Sequence, residues 1–134
     1  MYGALDISTS GMIAQRTRLN IIAANIANAR TILNADGEYD PYHRRFAVLA
    51  TGDGESGSAE GVHVQSIEID QSQLAMRYEP DSPYADADGY VGYPNVNPVV
   101  EQMNAMEALR SYEANIAAVE ATKSMISTAL HLIA

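Results

Sequence analysis

The C-terminal part of the sequence, residues 97–133, decides the fold that the rest of the chain must accommodate. It reads NPVVEQMNAMEALRSYEANIAAVEATKSMISTALHLI. Asn97 is a favoured N-cap, and Pro98 suits the first helical position because its φ angle is preset and it has no N–H to leave unbonded. No glycine or proline follows before Ile133. The stretch therefore predicts one continuous helix, about 54 Å long.

An apolar row follows this predicted helix with the alternating four–three spacing of a coiled-coil seam. Its members are Ala105, Leu109, Tyr112, Ile116, Val119, Lys123, Ile126, Leu130 and Ile133. A helix of this length in so short a chain needs a packing partner, because helices that stand alone are only marginally stable in water.

The N-terminal residues, from about Ala4 to Arg30, predict that partner helix. An apolar row recurs there at a seven-residue spacing, with one further residue in the companion position: Leu5, Met12, Leu19, Ile26 and Ile22. Other apolar side chains lie on a second side of the same helix: Ile13, Ala14, Ile21 and Ala24. Two helices facing each other bury one stripe each, so the surplus apolar surface predicts association with further subunits.

The predicted fold class is mainly α, with the long N- and C-terminal helices paired as an antiparallel coiled-coil hairpin and a small β insert between them. Residues 1–31 form the N-terminal helix of the core domain, 32–97 the insert, and 98–134 the C-terminal helix of the same core domain. Alternation from His43 to Ala50 and from Leu74 to Tyr78 predicts strands, and between them Val62 to Ile69 alternates with a slip at Gln65-Ser66 that suits a β-bulge.

The charge pattern excludes nucleic acid as a partner. The chain carries a formal net charge of −9, and residues 32–97 alone hold twelve carboxylates against three arginines. Phosphate binding needs a basic face, which this sequence lacks. No run of apolar residues approaches the ~20 that a membrane span requires, and no signal peptide is visible. The absence of cysteine excludes disulfides and thiolate metal sites.

No catalytic constellation, cofactor motif or metal site is predicted. His43, His63 and His131 are scattered over three regions, and no nucleophile motif or phosphate-binding glycine loop is present. The stretch YADADG, residues 84–89, resembles the middle of a calcium loop but lacks acidic residues at the first and twelfth ligand positions. A turn formed by Asp88-Gly89 explains it better. We therefore expect a structural protein and not an enzyme.

Asparagines in the N-terminal helix have two interpretations, which the sequence does not separate. Asn25 and Asn28 lie one turn apart, although asparagine is a poor helix former. They either belong to a solvent-facing polar row, or they are partly buried and fix the helix register by hydrogen bonds.

Both ends of the chain resemble the flagellar rod, hook and hook-associated family. At the N-terminus the resemblance lies in ALDISTSGM (residues 4–12), Gln15-Arg16 and NIANA (residues 25–29). At the C-terminus it lies in GYVGYPNVNPV (residues 89–99) and EALRSYEAN (residues 107–115). The YPNVNP turn and the short length are most similar to a proximal-rod subunit. At residues 40–45, DPYHRR departs slightly from the Gly-Pro-Tyr-Arg-Arg run of that family.

The resemblance implies a subunit of the rod that crosses the periplasm, exported by the flagellar type III apparatus without a cleaved signal peptide. It implies other rod proteins and further copies of the chain as partners. The alternatives are a soluble helical adaptor or chaperone, or a different rod or hook subunit. We expect the assembly interface to include both apolar rows and the asparagines: Leu5, Met12, Leu19, Ile22, Asn25, Ile26, Asn28, Leu109, Tyr112, Ile116, Val119, Ile126 and Leu130.

Overall fold

The computed structural model describes residues 2–134, which form two long helices and four short strands. Helix α1 spans Tyr2–Ala27 and helix α2 spans Pro98–Ile133. Between the helices lie the four strands, β1 (Arg45–Thr51), β2 (Val62–Ile69), β3 (Ala75–Tyr78) and β4 (Tyr90–Tyr93). Both helices and the first three strands thus appear close to where the sequence predicts them.

The prediction of a mainly-α, coiled-coil hairpin is nevertheless wrong as a description of the fold. Helix accounts for 46% of the chain and strand for 19%, so the fold mixes the two helices with two separate two-stranded antiparallel sheets. The helices do pack side by side and run antiparallel, with Asn25 of α1 beside Glu101 of α2 and Gly11 beside Asn115. The strand content was underestimated because the strands are short and separated by glycine and aspartate, which weakens their signal.

Small and polar residues form the contact between the two helices. On α2, the buried residues Glu101, Ala108 and Thr122 lie on one seven-residue repeat. Gly11 of α1 is buried opposite the α2 residue Asn115, and a Cβ added to it would lie 2.8 Å from the Asn115 Nδ2 atom. The helices therefore approach closely along this line. On α2, Leu109 and Ile116 lie one residue after Ala108 and Asn115 and stay exposed, as does Leu130. Other residues of the predicted apolar rows are buried or half-buried: Ile22, Tyr112, Val119 and Ile126.

Strands β1 and β2 lie alongside α1 and are bonded to it at both ends of the sheet. Arg45 pairs with Ile69 at one end and Thr51 with Val62 at the other. The N–H of Val62 donates to Ser10 Oγ at 3.1 Å, and the N–H of Arg45 donates to Asn25 Oδ1 at 3.0 Å. The distance from Ser10 to Asn25 along the helix, about 22 Å, matches the length of a seven-residue strand, about 23 Å.

The predicted β-bulge is confirmed within this sheet. Val48 pairs with Ser66, but its neighbour Leu49 pairs with Val64, so Gln65 is the extra residue. A bulge of this kind increases the local twist of the two strands.

Strand β4 was missed by the sequence analysis, and it pairs with β3 in the second sheet, where Tyr78 lies opposite Tyr90. The connection ends in the predicted Asp-Gly turn, with Gly89 at φ +84°. Asp86 closes this turn, because its Oδ1 atom accepts from the N–H groups of Asp88 and Tyr90 at 3.0 and 2.9 Å. Among residues 2–134, no three acidic or histidine side chains come together as a metal site.

Helix α2 begins at the predicted residue. Asn97 has extended backbone angles, and its Oδ1 atom accepts from the N–H groups of Val99 and Val100 at 3.0 and 3.4 Å. In the described part of the chain, neither helix combines the length and the apolar character needed to cross a membrane.

The close approach at Gly11 predicts that a large side chain there forces the helices apart. We expect Gly11→Leu to lower the free energy of unfolding by about 1–3 kcal/mol, because the added atoms meet Asn115. Urea unfolding followed by circular dichroism measures this change. Gly3→Ala in the same helix is the matched control, since its Cβ would meet only Glu60 at 3.6 Å, and it should be neutral or stabilising. Equal stability of Gly11→Leu and the unaltered protein would contradict the close packing.

Candidate assembly interface

One end of the helix pair is held by a set of polar groups, most of them buried or half-buried, called here the polar junction. Its members come from α1, from the chain entering β1, and from the first turn of α2: Asn25, Tyr42, Arg44, Arg45 and Glu101. Asn25 is 0% exposed and Glu101 is 1% exposed. Buried groups of this kind are stable only when their hydrogen bonds are made.

Asn25 has every part of its side-chain amide bonded. Its Nδ2 atom donates to the Arg45 carbonyl at 2.8 Å and to Glu101 Oε2 at 3.3 Å. Its Oδ1 atom accepts from the N–H of Arg45 at 3.0 Å and from the Tyr42 hydroxyl at 2.8 Å. The amide thus pairs with both backbone groups of Arg45, as a neighbouring strand would, and it joins α1 to β1 and α2.

The buried carboxylate of Glu101 is neutralised by Arg44. The Arg44 Nε atom donates to Glu101 Oε1, and its Nη1 atom lies 3.4 Å from Asp70 Oδ2. Burial disfavours the charged guanidinium, but the hydrogen bond and charge of Glu101, followed by the charge of Asp70, outweigh it and raise the pKa of Arg44. The pKa of Tyr42 is raised too, and there burial is the largest cause, because it disfavours the charged phenolate. Both residues therefore keep their ordinary protonation states at neutral pH.

A second asparagine ties the turn before α2 to the first sheet. Asn95 Oδ1 accepts from the N–H of Arg44 at 2.8 Å. Its Nδ2 atom donates to the Asp70 carbonyl and to the Ser72 carbonyl, both at 3.2 Å. The YPNVNP turn therefore places the start of α2 against both the entrance of β1 and the end of β2.

The burial of Asn25 was one of the two alternatives that its sequence context allowed, but the residues that bond to it were not predicted. Glu101 gave one signal: it lies on the same seven-residue repeat as Ala108 and Asn115, a row of small and polar residues that faces another helix. An acidic residue in the first turn is also ordinary for a helix, because it complements the helix dipole. Arg44 gave no signal, since an arginine beside a strand is more often exposed.

The residues predicted for the assembly interface divide into three groups by burial. Two are buried, Ile22 and Asn25. Eight are half-buried, on the flanks of the helix contact or near it: Leu5, Met12, Leu19, Ile26, Asn28, Tyr112, Val119 and Ile126. Three are exposed on α2: Leu109, Ile116 and Leu130. Asn28 differs from Asn25, because its amide donates only to the Ala24 carbonyl in its own helix, at 2.8 Å.

The three exposed residues form what we call the outer row of α2. Leu109 is 47% exposed, Ile116 37% and Leu130 62%. All three belong to the predicted seam, yet the α1 contact falls on the row one residue earlier. Other large side chains are exposed near both ends of α2, on several of its sides: Val99, Met103, Met106, Met125, Leu132 and Ile133. Apolar surface of this extent is typical of a protein that associates.

The two family matches fall on the two helices that the polar junction joins. Residues 5–31 match the family described as flagella basal body rod protein, and residues 87–132 match the family described as flagellar basal body rod FlgEFG protein C-terminal. The flagellar basal-body rod protein FlgC of Salmonella typhimurium is 41% identical over 132 aligned residues, which cover 98% of this chain and 97% of that protein. The chain belongs to the FlgC family of flagellar basal-body rod proteins.

Two other FlgC proteins give the same result. That of Bacillus subtilis is 35% identical, with 98% of this chain and 97% of the relative covered. That of Agrobacterium fabrum is 35% identical, with 99% and 95% covered. Membership of the FlgC family confirms the resemblance seen in the sequence, and it makes the chain a structural subunit of the flagellar basal-body rod and not an enzyme.

Removing the Asn25 amide should destabilise the whole junction. We expect Asn25→Ala to cost about 2–4 kcal/mol of unfolding free energy, since Glu101 loses a donor and the Arg45 backbone loses two partners. Urea unfolding measures the loss. Asn20→Ala is the control in the same helix, because Asn20 is exposed, and its effect should stay within about 0.5 kcal/mol. Similar losses of unfolding free energy in the two variants would show that the polar junction does not stabilise the fold.

The contribution of Asp70 to the free energy of unfolding should depend on pH. Hydrogen bonds from the backbone and side chain of Ser72, followed by the charge of Arg44, lower the pKa of Asp70. Because the folded pKa lies below the unfolded value of about 3.9, the stabilisation is complete above that value and disappears as the pH falls through the folded pKa. Asp70→Asn should therefore be less stable than the unaltered protein at pH 7, and the difference should shrink below about pH 4. Urea unfolding across this pH range is the measurement, and a difference that stays constant would exclude the Asp70 carboxylate as its source.

Proposed function

We propose that this chain is a subunit of the proximal part of the rod and that it assembles through its terminal helices. In this proposal α1 and α2 contact other rod proteins and further copies of the chain, and the resulting tube transmits rotation across the periplasm. FlgC family membership supports the rod as the location. The proposed assembly through the helices is supported mainly by the exposure of the outer row of α2. This row stays exposed in the single chain because other residues of α2 pack on α1.

The internal contact of the helices supports the same proposal. Glycine, alanine, asparagine and threonine occupy its centre, at Gly11, Ala108, Asn115 and Thr122. Burying these residues removes less apolar surface from water than burying leucine or isoleucine would. Each Å² of apolar surface buried stabilises a protein by about 25 cal/mol, so the helix contact itself gains less stability from apolar burial. The larger apolar area therefore remains available for contacts between subunits. Half-buried residues on the flanks, such as Met12 and Leu19, extend this area onto α1.

We also propose that the chain reaches the periplasm through the flagellar type III export apparatus, without a cleaved signal peptide. The two sheets support this route, because each has only two strands and gains little stability by itself. A chain that buries few large apolar side chains unfolds more readily for passage through a narrow channel than a chain with a large apolar core.

The first experiment is deletion of the gene, with restoration of the intact gene as control. We expect non-motile cells whose basal bodies show membrane rings without rod or hook by electron microscopy, because the drive shaft then lacks a subunit. Normal flagella in the deletion strain would contradict the rod function. The soluble helical adaptor would then become the leading interpretation.

A charge in the outer row tests the assembly mode separately. We expect Ile116→Asp to leave the isolated protein folded, since Ile116 is 37% exposed, but to abolish motility, because the charge would be buried without a partner between subunits. Circular dichroism and swarming on soft agar measure the two effects. Ser124→Asp, at an exposed position on the side of α2 away from α1, is the control and should remain motile. Normal motility of Ile116→Asp, or equal loss in both variants, would exclude this row as the specific contact.

A further inference from the structure

A groove runs along α1 on the side where β2 lies, and no part of the described chain fills it. Its α1 wall includes Ile13, Thr17, Ile21 and Ala24, and its opposite wall includes Val64 and Ile67 of β2. We call this feature the α1–β2 groove. Ile13 is 57% exposed and Ile67 is 53% exposed, so the groove presents its apolar side chains to the surface.

The centre of this groove is basic in an otherwise acidic molecule. Arg45 lies in its central lining, which contains no carboxylate, whereas Asp53 lines the end near Ile13. Arg16 is exposed three residues after Ile13, which places it beside the groove on the helix surface. The groove therefore combines an apolar floor with one cation in its lining, Arg45, one at its edge, Arg16, and one carboxylate at its end, Asp53. Since Arg45 contacts Asn25, the two cations lie about 14 Å apart along α1.

Two acids accompany the outer row of α2, and an exposed cation, Lys123, lies on the same repeat between Ile116 and Leu130. Leu109 and Ile116 alternate with Glu113 and Glu120 at four–three spacing, so both acids lie beside the apolar side chains on one side of the helix. All four are exposed. The two carboxylates lie about 10.5 Å apart along the helix, a separation that flexible arginine side chains accommodate.

We propose that the α1–β2 groove of one copy holds the outer row of α2 from a second copy of this chain. Leu109 and Ile116 would pack between Ile21 and Ile67. Glu120 would then lie near Arg16, and Glu113 near Arg45. The proposal rests on the assembly mode proposed above and identifies the receiving surface. Within one chain α2 already packs on a different side of α1, at Gly11 and Asn25, so the contact is between copies. Such a head-to-tail contact joins two different surfaces, and it propagates into a helical array.

Cysteine cross-linking tests this contact directly, because the chain has no cysteine of its own. Two differently tagged copies are expressed together in the deletion strain, one with Ile67→Cys and one with Ile116→Cys. Basal bodies are oxidised, and disulfide-linked dimers carrying both tags are measured on non-reducing gels. A disulfide needs Cα atoms within about 7 Å. We expect about tenfold more mixed dimer than with Ala114→Cys as the second chain, because Ala114 is exposed on another side of α2.

Equal cross-linking of the two pairs in motile cells would overturn the groove contact and leave the rod function intact. Failure of the rod function itself would appear earlier, as normal flagella in the deletion strain. A charge exchange gives an independent readout if the cysteine variants do not assemble. Arg16→Glu and Glu120→Arg should each reduce swarming, and the two together should restore most of the loss; a double variant no better than either single one would contradict the pairing.

Discussion

The Asn25 amide is bonded by groups from two other parts of the chain, the backbone of Arg45 at the start of β1 and the carboxylate of Glu101 in the first turn of α2. Helix α1, the insert and helix α2 therefore meet at one buried side chain. The junction also fixes the helix register, because sliding α1 by one turn would leave Asn25 and Glu101 buried without these partners, at about 1–3 kcal/mol for each unsatisfied group. Arg44 and Asn95 strengthen it by joining Glu101 and the YPNVNP turn to the same strand.

The composition of the helix contact determines what the surface can do. With Gly11 against Asn115 and Ala108 on the same seven-residue repeat, the two helices approach closely and bury few large side chains. Leucine, isoleucine and methionine remain on the flanks and the outer surface. A soluble monomer would ordinarily bury these residues, whereas a subunit of an assembly can use them at its contacts. The small residues in the helix contact thus explain both the close approach of the helices and the apolar surface that remains exposed.

The sequence predicts the elements well and the contacts between them poorly. Asn97-Pro98 marks the start of α2, and the slip at Gln65 marks the bulge, because both depend on local backbone chemistry. The facing rows of the helices were assigned to the largest apolar residues. In the structure Leu109, Ile116 and Leu130 of that assignment stay exposed. Small and polar residues one position before Leu109 and Ile116 permit close approach, and this choice depends on the other helix. Arg44 and Glu101 were missed for the same reason, since their meeting joins residues far apart in the chain.

Native-state hydrogen exchange of the purified protein and of Asn25→Ala tests most directly whether the polar junction couples the three parts. The account predicts that the exchange free energies of the amides in α1, in β1 and in the first turns of α2 fall together and by similar amounts, because all three lose the same support. A decrease confined to α1, with β1 and α2 unchanged, would contradict this coupling and reduce Asn25 to a residue that stabilises only its own helix.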